Sequence, residues 1–435
     1  MARVAVAPPL RARPTPAGEV LLVFPVLLLA IGLVLLALER KQPVDWQTLT
    51  GAGLFALGLI GAAAWVRWRL PFADPLLLPI AATLAGLGQL MTSRLEPSLG
   101  PRQGIWVLGG LGALVAVTCL PSAAWLRRYR YTWATLAVLL LTITMVFGQD
   151  PNGSGARLWL VVGPINIQPM EATKLLLVVF LAGYLEDYRE LLALAGHRLG
   201  PLRVPPVPYL APMLLMVGIV LAILFWQRDL GPALLLFSVL LAMLYVASGR
   251  VSYVLLGLVL LLVAGVVADR LFTHVHVRVE NWIDPWSQAT GSGYQVVQAL
   301  YALASGGVIG TGLDAGSPRY IPAVHTDFVI AAIGEELGLI GSLAVVNLFV
   351  VLTVRGLRIA LRARSGFNAL LAAGLTTTLA LQALIILAGT LRLIPMTGIT
   401  LPFVSYGGSS VLANFLLVGL LLLISDEEER ARYAA

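Results

Sequence analysis

The segment Ile321-Pro322-Ala323-Val324-His325-Thr326-Asp327-Phe328 closes a long polar interval and opens a long apolar one. If the apolar run enters lipid, Asp327 lies where water meets hydrocarbon, beside a histidine and a threonine. A carboxylate there is costly unless it has a partner or a task. Proton transfer is one such task. Capping the helix that follows is the structural alternative.

Other ionisable groups recur beside apolar runs: Arg157, Glu171, Lys174, Arg228, Asp229, Arg319 and His325. Glu171 and Lys174 are three residues apart and share a helix face. An ion pair is the structural reading, and orienting an anionic substrate is the functional one. Asp229 follows Trp226 in a tight turn, where it either caps the next helix or lines a cavity. Trp282 and Trp286 read as interfacial belt residues. Glu335 and Glu336 lie inside an apolar run and need partners. Ser405-Tyr406-Gly407-Gly408-Ser409-Ser410 reads as a close-packing segment, with phosphate contact as a second option. The chain has four histidines and one cysteine, Cys119, with no zinc-ligand spacing and no disulfide framework. Nucleophile-elbow, Walker and dinucleotide motifs are absent.

The elements that must position these groups are membrane spans. Of 435 residues, 59% are hydrophobic and 12% charged, with mean hydropathy +0.89. An ordinary soluble domain carries about 25% charged residues, so the composition points to a polytopic, all-α membrane bundle. The net charge of +7 lies in short basic clusters between apolar runs, which argues for topology signals and against a nucleic-acid partner. Requiring roughly 20 apolar residues per helix gives about twelve spans: 19–38, 49–66, 75–92, 104–120, 131–147, 172–186, 208–226, 230–247, 251–268, 327–353, 369–389 and 402–424. The second and sixth are short.

With Arg3, Arg11 and Arg13 of the 1–18 tail in the cytoplasm, basic clusters fall on the same side after every second span. They include Arg67 and Arg69; Arg127, Arg128 and Arg130; Arg189, Arg198 and Arg203; Arg250; and Arg355 to Arg364. The 426–435 tail joins them, so both termini are expected inside. Three outer intervals remain: 148–171, the turn 226–231, and a large loop, 269–326, between the ninth and tenth spans. Within that loop, Tyr294 to Ala304 has helical apolar spacing and is followed by helix-breaking glycines.

Taken together, these residues resemble the SEDS family of RodA, FtsW and SpoVE proteins. The likeness covers about residues 75–425 and rests on Gly-Ala-Arg-x-Trp at 155–159, Gln-Pro-x-Glu-x-x-Lys at 168–174 and Gln-x-Asp-x-Gly at 227–231. It continues with Gly-Ser-Gly-Tyr-Gln at 291–295, Pro-x-x-His-Thr-Asp-Phe at 322–328, Gly-Glu-Glu-Leu-Gly at 334–338 and Leu-Pro-Phe-Val-Ser-Tyr-Gly-Gly-Ser-Ser at 401–410. Most members have ten spans, so 19–74 looks like an N-terminal addition. That addition and the tail Leu416 to Asp426 lean towards RodA.

The resemblance implies a peptidoglycan glycosyltransferase that polymerises lipid II at the outer face of the bacterial cytoplasmic membrane, for elongation or division. Its implied partners are a class B penicillin-binding protein, lipid II and undecaprenyl-linked glycan, and membrane lipids. The family's key aspartate falls on Asp327, and its outer-loop tryptophan on Trp159, placed to stack on a sugar or isoprenoid. Arg157, Lys174 and Arg319 become candidates for charge on the pyrophosphates. Glu171, Asp229, His325 and Ser405 complete the expected substrate-binding set. A divalent cation, Mg2+ or Mn2+, could share the charge, although no ligand cluster requires one. Two departures stand out: Met170 replaces the usual Ser or Ala, and Ala323 replaces a frequent Glu, removing one outer carboxylate. Two other classes fit the same cavity, a lipid II flippase or transporter and a non-catalytic scaffold of the wall-synthesis complex.

Overall fold

A chain that crosses lipid must satisfy its own backbone hydrogen bonds, so apolar runs of this length fold as helices. The computed structural model describes residues 16–41, 46–150, 156–163, 165–194, 197–199, 202–204 and 207–434. Each of the twelve expected spans falls on a helix. The first six are α1 (Pro16–Glu39), α2 (Trp46–Arg69), α3 (Leu77–Leu95), α4 (Gly100–Thr118), the short α5 (Ala124–Arg128) and α6 (Arg130–Phe147). An antiparallel hairpin, β1 (Leu160–Val162) and β2 (Ile165–Ile167), leads into α7 (Pro169–Leu194). A second hairpin, β3 (His197–Leu199) and β4 (Leu202–Val204), leads into α8 (Val207–Trp226). Then come α9 (Leu230–Ser248), α10 (Val251–Leu271), α11 (Thr273–Ile283), α12 (Tyr294–Gly306), α13 (Val329–Arg362), α14 (Gly366–Thr390) and α15 (Gly408–Tyr433). The fold is a helical membrane bundle, and the chain is an integral membrane protein.

Eight of these helices are long and apolar enough to cross a membrane: α1, α2, α6, α9, α10, α13, α14 and α15. In α8 the apolar stretch Leu210–Trp226 is shorter. Helices α3 and α7 are enclosed by their neighbours, which lets them carry Gln89, Arg94, Glu171 and Lys174. α10 turns Leu258, Val259, Leu262 and Val266 outward, as a lipid-facing helix does. α2 and α7, read as short spans, run to 24 and 26 residues.

Three boundaries differ from the sequence reading. The last span begins at Gly408 because 401–407 forms a turn held by Ser405, whose Oγ accepts from Leu401 N at 2.9 Å. The tenth begins at Val329, and Gly338 (φ 68°, ψ −167°) breaks it into two helical pieces. α11 was not expected at all. α12 ends at Gly306, and Gly307 follows with φ 54°, as the glycine run suggested. At Gly408 a Cβ would run into the Trp106 ring, so the close packing expected of this segment rests on Gly408.

Contacts sort the connections to two ends. At one end, Phe72 N donates to Asp426 Oδ1, Ala123 N to Glu427 Oε1 and Arg364 N to Glu428 Oε2, while Arg127 pairs with Asp187. These groups belong to the basic, even-numbered connections. At the other end, Gln168 N donates to Ser409 Oγ, and Tyr406 N donates to His325 O.

Candidate active site

Asp327 sits in a turn fixed from both sides. Thr326 N and Asp327 N both donate to Ala323 O, at 3.1 and 3.0 Å, and Ala323 adopts φ 51° to allow it. A left-handed non-glycine residue is strained, and such strain persists where the surroundings hold it. They do here. Ser405 Oγ donates to Thr326 O at 2.5 Å, Tyr406 N to His325 O at 2.8 Å, and Gln295 Nε2 of α12 to Pro322 O at 2.7 Å. The N-cap of α13 is Phe328, with no side-chain cap, so neither Asp327 nor His325 caps the helix.

The turn opens into a cleft lined by Asp327 and Phe328 and by Arg278, Asn281 and Trp282 of α11. The α14–α15 connector closes it with Arg392, Met396 and Gly398. That connector is clamped to α11. Arg392 Nε and its guanidinium nitrogen donate to the carbonyls of Trp282 and Ile283 at 2.7 and 2.8 Å, and Trp282 Nε1 donates to Arg392 O at 3.2 Å. Arg392 (φ 58°) and Gly398 (φ 73°) are again left-handed. Arg278 donates once, to Thr397 O at 3.3 Å, and its guanidinium is exposed.

Burial raises the Asp327 carboxyl from its ordinary 3.8 to about 6, against the pull of Arg278 and a hydrogen bond from the Thr326 side chain. Asp229, at the N-cap position of α9, is pushed up to about 7 by burial, with Arg278 opposing and Glu171 reinforcing. Its side chain makes no capping bond, and Oδ2 is buried without a hydrogen-bond partner among the described residues. The helix-cap reading of Asp229 therefore fails, and Asp229 is not among the residues that line the cleft at Asp327. One exposed guanidinium thus influences two carboxyls poised near neutrality. Such a set can move protons and hold anionic groups. Burial lowers the His325 imidazole, with Glu96 opposing. Its ring packs edge-on against Tyr406, 5.9 Å between centroids.

The expected residues divide clearly. Asp327 lines the cleft together with Arg278, whereas Asp229 does not line it and is reached by Arg278 only through its electrostatic pull. Glu171 pairs with Lys174 at 2.7 Å, and Lys174 Nζ donates to Gln382 Oε1 of α14 at 2.7 Å. Both are buried, so the ion-pair reading of these two holds. Ser405 is buried with its hydroxyl spent on backbone groups, and it positions the turn. Arg157 is exposed beside the bridge between Gln149 and Trp159 and does not line the cleft; neither do Trp159 and Arg319. Gly155 of the first motif lies outside the described residues. Glu336 finds Arg94, and Glu335 accepts from Ser317 N at 2.8 Å. Trp282 is part of the cleft and not a belt residue, because its indole N–H is committed to Arg392 O.

Arg278 and Arg392 were not anticipated. On the expected topology both are basic residues on the outer side, an exception to the positive-inside trend. Among the described residues no group of three or more His, Cys, Asp or Glu is arranged to hold a metal ion.

The model of the FtsW/RodA/SpoVE cell cycle proteins matches residues 83–430. The chain is 40% identical to the peptidoglycan glycosyltransferase RodA of Mycobacterium tuberculosis, covering 99% of this chain and 94% of that one. It is 33% identical to the probable peptidoglycan glycosyltransferase FtsW of Geobacter metallireducens, over 74% of this chain and 84% of the relative. A solved chain from a peptidoglycan synthase complex, described as coordinating polymerization and crosslinking, superposes with TM-score 0.68 at 29% identity. That likeness covers 82% of this chain and 98% of the solved one. The motifs, the bundle and these likenesses agree: the chain belongs to the FtsW/RodA/SpoVE family.

Proposed function

We propose that the protein is a peptidoglycan glycosyltransferase that polymerises lipid II at the outer face of the cytoplasmic membrane, with Asp327 as the base. The reading is carried by Asp327: a carboxyl raised to about 6 that opens into a cleft beside Arg278, in a chain of this family. Forming the glycosidic bond requires that the acceptor hydroxyl lose its proton as it attacks the anomeric carbon. The bond to the pyrophosphate breaks, and the lipid pyrophosphate departs with the electron pair. Asp327 takes the proton. Arg278, exposed at the cleft, is placed to meet charge on the departing group. Asp229, whose upward shift Arg278 also opposes, supports the site electrostatically. The grooves between helices hold the polyprenyl tails, and Trp159, Arg157 and Arg319 belong to the outer approach.

The basic connections and both termini face the cytoplasm by the positive-inside bias. Residues 75–425 form the family core, and 19–74 are an N-terminal addition. The partner is a class B penicillin-binding protein that crosslinks the strands, in keeping with the synthase complex above. Purified with that partner and given labelled lipid II, the wild type is expected to make glycan chains. Asp327→Asn is expected to express and fold normally and make none. Polymer from the variant would sink the assignment. Lipid movement across liposomes without polymer would favour a flippase.

A further inference from the structure

The N-terminal addition ends in a buried charge network. Arg40, one residue past α1, donates through Nε to Asp314 Oδ2 at 2.9 Å and through a terminal nitrogen to Oδ1 at 3.2 Å. The same nitrogen donates to the Arg94 carbonyl at 2.9 Å. Arg94 of α3 lies 2.6 Å from Asp314 Oδ1 and 2.7 Å from Glu336 Oε1. Side-chain exposure falls inward, from 25% at Arg40 through 13% at Asp314 and 10% at Arg94 to none at Glu336.

Charge decides what Arg40 is for. Without it, two buried carboxylates share one guanidinium, which leaves an uncompensated negative charge of the kind folded proteins reject. Arg40 makes the set two and two. Its fork geometry matters as much as its charge, since it spans both Asp314 oxygens and a carbonyl.

Asp314 belongs to the outer loop, at φ 65°, and that loop splints the break in α13. Thr311 N and Gly312 N donate to the carbonyls of Glu335 and Glu336, at 2.9 and 3.0 Å. From the other side, Leu339 N and Ile340 N donate to the carbonyls of Gly307 and Val308, at 3.0 and 3.1 Å. The break at Gly338 would otherwise leave these groups unpaired. The short first piece of α13 begins two residues after Asp327. A continuous mechanical path therefore runs from α1 through Asp314 and loop 306–317 to the cleft.

We infer that Arg40 is a positioning residue for polymerisation: the N-terminal addition clamps loop 306–317 through Asp314 and so fixes the height of Asp327. This rests on the glycosyltransferase reading above. It also fits the coverage: the family model begins at residue 83, while the M. tuberculosis relative spans 99% of the chain.

The test compares wild type, Arg40→Gln, Arg40→Lys, Asp314→Asn and the Arg40→Gln/Asp314→Asn double variant, all full length in detergent with the partner. Hydrogen exchange of the 306–317 peptides is read alongside polymerisation kinetics. Arg40→Gln is expected to speed exchange of that loop and lower kcat by about ten- to a hundredfold, the range for a misplacement near 1 Å, with KM changed little. Arg40→Lys keeps the charge without the fork and should fall between. In the Asp314→Asn background, Arg40→Gln should add much less than it costs alone, because the ion pair is already gone and only the bond to the Arg94 carbonyl remains. Unchanged exchange, or additive losses in the double variant, would overturn the clamp. Faster exchange with full kcat would overturn the positioning role. A wild type that makes no polymer would instead overturn the enzymatic reading, and the catalytic half of this inference with it.

Discussion

Burial pushes the carboxyls of Asp327 and Asp229 towards neutrality while Arg278 opposes both shifts, and this makes the acid limb of the reaction a readout of the site. Asp327 must be ionised to accept a proton, so polymerisation should rise with pH through about 6 and level off above it. Arg278 opposes the upward shift of Asp327. Removing it in Arg278→Gln leaves burial unopposed, so the limb should move to higher pH. The plateau rate should drop about a hundredfold, the usual loss when one positioned donor to a developing anion is removed. Arg319→Gln, exposed and outside the cleft, should leave the limb where it is. A limb that stays put in Arg278→Gln would mean that Asp327 does not set it. From the sequence, Asp327 could be chosen because a carboxylate at the lipid boundary is conspicuous by itself. Arg278 could not be chosen that way, because an exposed arginine in a polar loop becomes meaningful only when its neighbours are known.

At the scale of elements, the central link is between α7 and α14. Lys174 pairs with Glu171 on its own helix and donates to Gln382 on the next, all three side chains buried. Lys174→Met should cost roughly 3–5 kcal/mol, because it leaves a buried carboxylate without its cation. Adding Glu171→Gln should recover a large part. Thermal unfolding of the solubilised protein checks both, and equal melting temperatures for single and double variants would exclude a strong pair. The ion pair was legible because a three-residue spacing on a helix fixes proximity. α11 was hidden for an equally physical reason. His274, His276, Arg278 and Glu280 alternate with Val275, Val277 and Val279, a period of two that mimics a strand. Contacts with the α14–α15 connector override that local pattern and give a helix.

For the whole molecule, several basic connections meet at one end, with Arg69, Ser122, Asn368, Asp426, Glu427 and Arg430 around a shared cleft. Cys119, exposed at the C-terminal end of α4, lies at this end, near the Trp65–Thr118 hydrogen bond. It should be labelled by a membrane-impermeant maleimide only after the inner face is opened. A Tyr320→Cys variant in a Cys119→Ser background should label in intact cells, since Tyr320 is 58% exposed on the outer loop. Labelling of native Cys119 from outside would invert the topology and with it the outer placement of Asp327.

The sequence by itself determined the solvent, the helices and the suspicion attached to Asp327, because hydropathy acts locally along the chain. It also carried the resemblance to the family that the family match bears out. Tertiary structure alone decided which polar groups meet. It put Asp327 and Arg278 in one cleft, left Arg157 and Arg319 outside it, and tied Arg40 to Asp314 across 274 residues of chain. Such meetings depend on how helices pack and where loops fold back, and neither leaves a period in the sequence.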